Sequence, residues 1–87
     1  MLEEYYNKET ETLTLPFYFN SLLKDLPLGT KIIIFKDDYY EMMYSIFNKS
    51  VDNLPSSLTH LTFGYRFDQK VDNLPSSLTH GNIWTVF

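Results

Sequence analysis

Polar and apolar side chains alternate in several short segments of the chain. In residues 60–63 the alternation places Leu61 and Phe63 on the same side of an extended backbone, as expected for a strand with one buried face. Residues 13–15 alternate in the same way, and residues 30–35 are rich in the β-branched side chains that favour strands. We therefore predict short strands in these three segments.

An identical string of ten residues marks the chain as a repeat. Val-Asp-Asn-Leu-Pro-Ser-Ser-Leu-Thr-His occurs at residues 51–60 and again at residues 71–80. Fixed-period similarity of this kind is typical of arrays in which each unit is one small structural turn. We predict an N-terminal extension at residues 1–9, followed by four units at about residues 10–29, 30–57, 58–77 and 78–87, the last of them incomplete.

The spacing of the units is uneven. Their starts, at Thr10, Thr30, Leu58 and Leu78, are separated by 20, 28 and 20 residues, so the second unit contains eight extra residues within the segment 36–46. Either Asp37 or Asp38 is a suitable N-cap for a short helix in this insertion. The apolar residues that follow at helical spacing are Tyr39, Met42, Met43 and Ile46.

Stacking of the units explains how such short coils bury their side chains. A single coil of about 20 residues has no second layer, whereas stacked coils place equivalent residues above one another. The three columns expected are Leu13, Ile33 and Leu61; Leu15, Phe35, Phe63 and Ile83; and Phe19, Phe47, Phe67 and Phe87. The predicted fold is a β-rich (β or α/β) solenoid, a short leucine-rich-repeat-like stack of about four ~20-residue coils with a parallel sheet.

The string at residues 54–69, Leu-Pro-Ser-Ser-Leu-Thr-His-Leu-Thr-Phe-Gly-Tyr-Arg-Phe-Asp-Gln, resembles the FNIP repeat. Units of that family read as a Leu-Pro or Ile-Pro step, a Leu-Thr-His-Leu-Thr-Phe-Gly strand and a Phe-Asn turn. The resemblance is strong over residues 47–80 and weaker over residues 13–46. It implies a leucine-rich-repeat-like interaction module, of a kind abundant in amoeboid protists and in the large DNA viruses that infect them. Some members carry an F-box that recruits a ubiquitin ligase; none fits before Thr10, so an adaptor function is not expected.

The last unit departs from the repeat. Gly81 stands where the third unit has Leu61, and Trp84 replaces Gly64. One interpretation is a specialised end cap, and the other is a truncated array whose last coil has decayed. Solenoids need a polar outer face at each end, which residues 83–87 do not supply, so the second interpretation is preferred.

Composition excludes several classes of partner. The net charge is −4, and the seven Lys and Arg residues are scattered without an adjacent pair, so neither nucleic acid nor an anionic membrane is expected to bind. Four glutamates between Glu3 and Glu11 are interpreted as solvated surface, with a basic partner as the alternative. No cysteine, basic signal sequence or long apolar run is present, which favours an intracellular, cytoplasmic location, in the host-cell cytoplasm if the protein is viral.

Candidate chemistry in the repeats is weak. His60 and His80 should be neighbours, but two imidazoles without a third ligand make a poor metal site. Ser57 lies near His60, and Ser77 near His80, yet duplication of the pair favours a structural role over nucleophilic catalysis. Asp52 and Asp72, each followed by Asn, supply one carboxylate per turn, too few oxygen ligands for calcium. We expect no catalytic residue, no cofactor and no metal.

The function predicted from the sequence is therefore a non-enzymatic protein-interaction module. Its candidate interaction face consists of outward-pointing strand residues, aided by the insertion; they are Thr12, Thr14, Ile32, Ile34, His60, Thr62 and His80. The partner expected is another protein, and self-association through the open end at residues 83–87 is a further expectation. The alternatives are a decayed array without independent activity and, as a minor one, an enzyme.

Overall fold

A single five-stranded sheet organises the chain in a computed structural model, which describes residues 2–38, 40, 42–51, 53–69 and 74–78 and the backbone of 80–82. A short 3₁₀ helix at Leu2–Tyr5 precedes the sheet. The strands are β1 (Tyr6–Asn7), β2 (Thr12–Leu15), β3 (Ile32–Phe35), β4 (His60–Thr62) and β5 (His80–Asn82), and they lie side by side in chain order. β1 runs antiparallel to β2, whereas β2 to β5 are parallel. The predicted β-rich class and parallel pairing are confirmed, and the complete sheet is mixed.

The register of the parallel strands follows the uneven spacing of the units in the sequence. Thr12 pairs with Ile32, Ile32 pairs with His60, and His60 pairs with His80. These are equivalent positions of successive units, so the extra residues between β3 and β4 do not shift the strands. Because side chains alternate between the two faces of a strand, this register puts equivalent residues of successive strands on the same face.

One face of the sheet forms the hydrophobic core. Each long strand alternates half-buried and buried residues, and the buried positions are Leu13, Leu15, Ile33, Phe35 and Leu61. Leu13, Ile33 and Leu61 are register partners, as are Leu15 and Phe35, so these predicted columns are confirmed. Ile83, the last expected member, lies outside the described residues.

A stack of phenylalanines forms the second part of the core. The ring of Phe47 lies 6.0 Å from both Phe19 and Phe67, and 4.2 Å from Phe35, in stacked orientations. Phe63 stacks on Phe67 at 3.7 Å. The predicted column is confirmed for its three described members, and Phe87 lies outside the described residues.

The Leu-Pro step forms the same turn in three units. The backbone N–H of Thr30, Leu58 and Leu78 donates to the carbonyl of Pro27, Pro55 and Pro75 respectively, at 3.2, 3.1 and 3.1 Å. A proline at the start of such a turn fixes its φ, and its missing N–H is not needed there.

Side-chain hydrogen bonds tie each unit to the next. The Ser57 hydroxyl donates to the Thr30 carbonyl at 2.8 Å, and Ser77 makes the equivalent bond to Leu58 at 2.7 Å. In addition, Asn20 Oδ1 accepts from the Asn48 N–H at 3.2 Å and Asn48 Oδ1 accepts from the Asp68 N–H at 2.8 Å. These asparagine side chains therefore bridge successive units.

The N-terminal segment covers the first repeat strand. Tyr6 is the register partner of Leu13, and the side chains of Leu2, Tyr5 and Tyr6 pack against the core. β1 thus occupies the outer edge of β2, where exposed N–H and C=O groups would otherwise offer a template for another chain. The sequence did not predict this strand.

The helix predicted within the insertion is wrong. Asp38 and Met43 instead exchange both backbone hydrogen bonds, at 2.6 and 2.8 Å, so the chain turns back on itself between them. Met42 has a φ of 53°, which is incompatible with an α-helix, and Ile46 is exposed rather than packed on the core. Tyr39 lies outside the described residues. No helix in the described part of the chain is long and apolar enough to cross a membrane.

Candidate functional site

The six described residues of the candidate interaction face lie together on the side of the sheet opposite the core. We call this surface the outer sheet face; it is formed by Thr12, Thr14, Ile32, Ile34, His60 and Thr62. All six are half-buried. Register pairing aligns them in two rows, Thr12–Ile32–His60 and Thr14–Ile34–Thr62, and the backbone of His80 continues the first row. The position of the His80 side chain lies outside what the structure describes.

The chemistry of the outer sheet face is apolar at its centre and weakly polar around it. Ile32 and Ile34 are on the middle strand, with threonine hydroxyls on β2 and with His60 and Thr62 on β4. None of the six is Asp, Glu, Lys or Arg. Such a surface offers dispersion contacts and a few neutral hydrogen bonds, which suit a protein partner better than a phosphate-bearing one.

Repeated backbone hydrogen bonds join neighbouring units at one end of this face. The carbonyl of Glu11 accepts from the N–H groups of Lys31 and Ile32 at 3.0 and 3.1 Å, and the carbonyl of Lys31 accepts from Thr59 and His60 at 2.8 and 3.1 Å. The Lys31 ammonium also lies 3.1 Å from a Glu11 carboxylate oxygen. This ion pair is substantially exposed, so the repeated backbone bonds contribute more to the order of the edge.

The geometry does not assemble the serine–histidine pair considered from the sequence. The Ser57 hydroxyl is directed at the Thr30 carbonyl, and His60 Nδ1 lies 2.8 Å from Thr59 Oγ1. A nucleophile must instead hydrogen-bond to its base. Within the described ranges, no group of three or more His, Asp or Glu side chains is placed to hold a metal ion. Asp52 and Asp72, considered for calcium, lie outside those ranges.

The insertion is fixed against the end of β4 by a close approach at Gly64. A Cβ added to Gly64 would overlap Ser45 Cβ and lie 2.8 Å from Asp37 Oδ1. The same Asp37 carboxylate accepts from the N–H of Ser45 at 2.6 Å and from the N–H of Tyr65 at 3.2 Å. The absence of a side chain at Gly64 therefore leaves room for the insertion.

An exposed hydrophobic surface projects from the insertion beside the sheet. The rings of Tyr44 and Tyr65 are 4.9 Å apart, which links the insertion to the turn after β4. Beyond this pair, Tyr40 is fully exposed, and Met42 and Met43 are also exposed. The sequence identified the insertion as extra residues in the second unit, but the helix predicted there gave the wrong local structure for these side chains.

A cleft at the N-terminal end was not predicted from the sequence. It has a volume of about 330 Å³ and lies between the 3₁₀ helix and the turn that follows β2. Its lining consists of Leu2, Glu3, Glu4, Tyr5, Phe19, Ser21, Leu22, Lys24 and Asp25. The acidic N-terminus was the only part of the cleft that the sequence singled out. The apolar walls are distant in the sequence and come together only when the N-terminal segment folds onto the first unit.

Comparison with known families agrees with the repeat register. The sequence model of the family described as FNIP Repeat matches residues 47–80, a region that begins at the buried Phe47 and includes β4. No curated protein and no solved structure matches the chain. The resemblance predicted for residues 47–80 is therefore confirmed, and this segment of the chain carries FNIP repeat sequence.

Proposed function

We propose that the chain is a non-enzymatic protein-interaction module that binds a protein partner through the outer sheet face. The observation that carries this proposal is the register of β2, β3 and β4, which aligns the six residues in two rows on one side of the sheet. The opposite side is filled by buried Leu13, Ile33 and Leu61 and is closed to a partner. A surface displayed by a rigid scaffold needs little ordering on binding, which favours affinity.

The proposed architecture is a short leucine-rich-repeat-like solenoid. Three features support it: parallel strands that follow chain order, a Leu-Pro turn repeated in three units, and hydrogen bonds between equivalent residues of successive units. A solenoid places one strand of each coil in a continuous surface, and such surfaces serve as binding sites in repeat proteins. This analogy with repeat proteins is what supports a protein partner for the chain.

A glutamate introduced into the outer sheet face tests the proposal. We expect Thr62→Glu to abolish capture of a specific partner by the immobilised chain, because a carboxylate placed against an apolar contact loses its hydration without gaining a counter-ion. The control is Ser56→Glu, which adds the same charge at an exposed turn position outside the face. Both variants should melt like the parent chain. A partner that binds Thr62→Glu as well as the parent would refute the outer sheet face as its site.

One observation favours a second candidate, a decayed array with no independent activity. The register partner of buried Leu61 is Gly81, so the column of large side chains loses a member at β5. Loss of a buried leucine leaves the neighbouring layer without packing contacts. A broad, non-cooperative thermal transition by circular dichroism would support this alternative, whereas a single cooperative transition would favour the interaction module.

A further inference from the structure

The N-terminal cleft combines apolar walls with an acidic surface. Leu2 comes from the 3₁₀ helix, whereas Phe19 and Leu22 come from the turn after β2. Leu22 is 51% exposed, although leucine is a large apolar residue and most of the chain's other described leucines are at least half-buried. The cleft's volume of about 330 Å³ falls at the lower end of the range of about 300–1,000 Å³ typical of ligand sites.

The charges that line the cleft have a clear sign. Glu3, Glu4 and Asp25 supply three carboxylates, and Lys24 supplies one ammonium group. Tyr5 adds no charge: a hydrogen bond with the Tyr18 hydroxyl, together with desolvation, raises the pKa of Tyr5 to about 12. The lining is therefore acidic around an apolar floor, and a cationic occupant is electrostatically complementary to it.

We propose that this cleft docks a short segment of a protein partner in which a large apolar side chain is flanked by lysine or arginine. The apolar side chain would contact Leu2, Phe19 and Leu22, and the flanking cations would lie against the carboxylates of Glu3 and Glu4. Burial of the apolar side chain supplies affinity, and the carboxylates select basic over acidic segments. None of the lining residues belongs to the outer sheet face, so this is a second, independent surface.

Opposite charges in the lining should affect docking in opposite ways, and Glu9 separates docking in the cleft from general attraction to an acidic protein. Lys24 is the one cation among the described residues of the lining, and it opposes a basic ligand. Removal of its charge should therefore strengthen docking, whereas removal of the Glu3 and Glu4 charges should weaken it. A non-specific attraction would respond in the same way to any carboxylate, including Glu9, which is exposed and does not line the cleft.

The test uses the full ¹⁵N-labelled chain titrated with the capped peptide Gly-Lys-Leu-Lys-Gly and followed by NMR. We expect shift changes concentrated in residues 2–5 and 19–25, with no response to Gly-Glu-Leu-Glu-Gly. The Kd should rise about fivefold or more in Glu3→Gln/Glu4→Gln, which loses two attractions, and fall about two- to fivefold in Lys24→Ala, which loses one repulsion. Glu9→Gln and Thr62→Glu should leave the Kd unchanged.

Several results would overturn the proposal. Absence of binding at millimolar peptide, shifts centred on the outer sheet face, or an equal response to the acidic peptide would each exclude this docking mode. A loss of affinity in Glu9→Gln as large as in Glu3→Gln/Glu4→Gln would show attraction to net charge alone. If docking in the cleft is excluded, the proposal that the outer sheet face binds a partner still stands, because that surface is tested separately by Thr62→Glu.

Discussion

Replacement of Phe47 by alanine should cost about 3–5 kcal/mol in the free energy of unfolding, the range for a buried phenylalanine whose cavity cannot collapse. Phe47 is 1% exposed, and its ring stacks on Phe19, Phe35 and Phe67, so its loss removes contacts in three successive units. Small domains have little stability in reserve, and we expect Phe47→Ala to be largely unfolded at room temperature. Urea denaturation followed by circular dichroism measures the change.

The matched control is Tyr40→Ala, which removes an aromatic ring from the same unit. Tyr40 is fully exposed, and we expect its removal to change the stability by less than about 0.5 kcal/mol. Equal denaturation midpoints for Phe47→Ala and the parent chain would contradict the stacked core. A large loss in Tyr40→Ala would show that the insertion packs in a different way from the one described.

Substitution of Gly64 by alanine should be the second most damaging change, at about 1–3 kcal/mol, the usual cost of overpacking. The added Cβ would overlap Ser45 Cβ, and Ser45, which belongs to the insertion, is itself buried. The Asp37 carboxylate lies 2.8 Å from the same Cβ position. The backbone at Gly64 therefore cannot relieve the overlap with Ser45 by a simple shift. The change in urea midpoint relative to the parent chain is the measurement.

A double-mutant cycle identifies the cause of that loss. Ser45→Gly removes the atom nearest to the new methyl group, so it should restore part of the stability of Gly64→Ala, whereas Ser45→Ala retains Cβ and should not. Recovery should be incomplete because the contact with Asp37 remains. If Ser45→Gly and Gly64→Ala are simply additive, the insertion does not pack on Gly64.

The strands and their register were predictable because the sequence repeats. Ten identical residues fix the equivalence of residues 51–60 and 71–80, and equivalence leads directly to stacked columns such as Leu13, Ile33 and Leu61. A repeat allows long-range contacts to be predicted, because each residue is expected to lie next to its counterpart in the following unit. The outer sheet face follows from the same register.

The insertion was mispredicted because it has no counterpart in the other units. Tyr39, Met42, Met43 and Ile46 fit a helical period, but a period over so few residues also fits a turn. The structure instead uses Asp37 to accept hydrogen bonds from Ser45 and Tyr65. Neither contact is readable from local sequence, since each depends on how the insertion lies across the next unit.

The N-terminal strand and cleft were also not predictable from periodicity. β1 has only two residues, too few to display alternation, and it runs against the direction of the other strands. The cleft forms where Leu2 lies near Phe19 and Leu22. These three residues are not at equivalent positions of the repeat, so the repeat does not predict that they line one cleft. Tertiary packing of a non-repetitive segment creates both features.

β3 and β4 pair in the register of equivalent repeat positions, Ile34 with Thr62, while the insertion between them loops out. The chain has no cysteine, so paired cysteines can test this register cleanly. Neighbouring strands lie about 4.8 Å apart, which suits a disulfide between register partners.

We expect Ile34→Cys/Thr62→Cys to form an intramolecular disulfide under mild oxidation, as measured by mass spectrometry of proteolytic fragments. The control, Ile34→Cys/Leu54→Cys, has the spacing that the register would have without the extra residues of the insertion, and it should remain reduced. The reverse, a disulfide in the Leu54 variant and none in the Thr62 variant, would contradict this register.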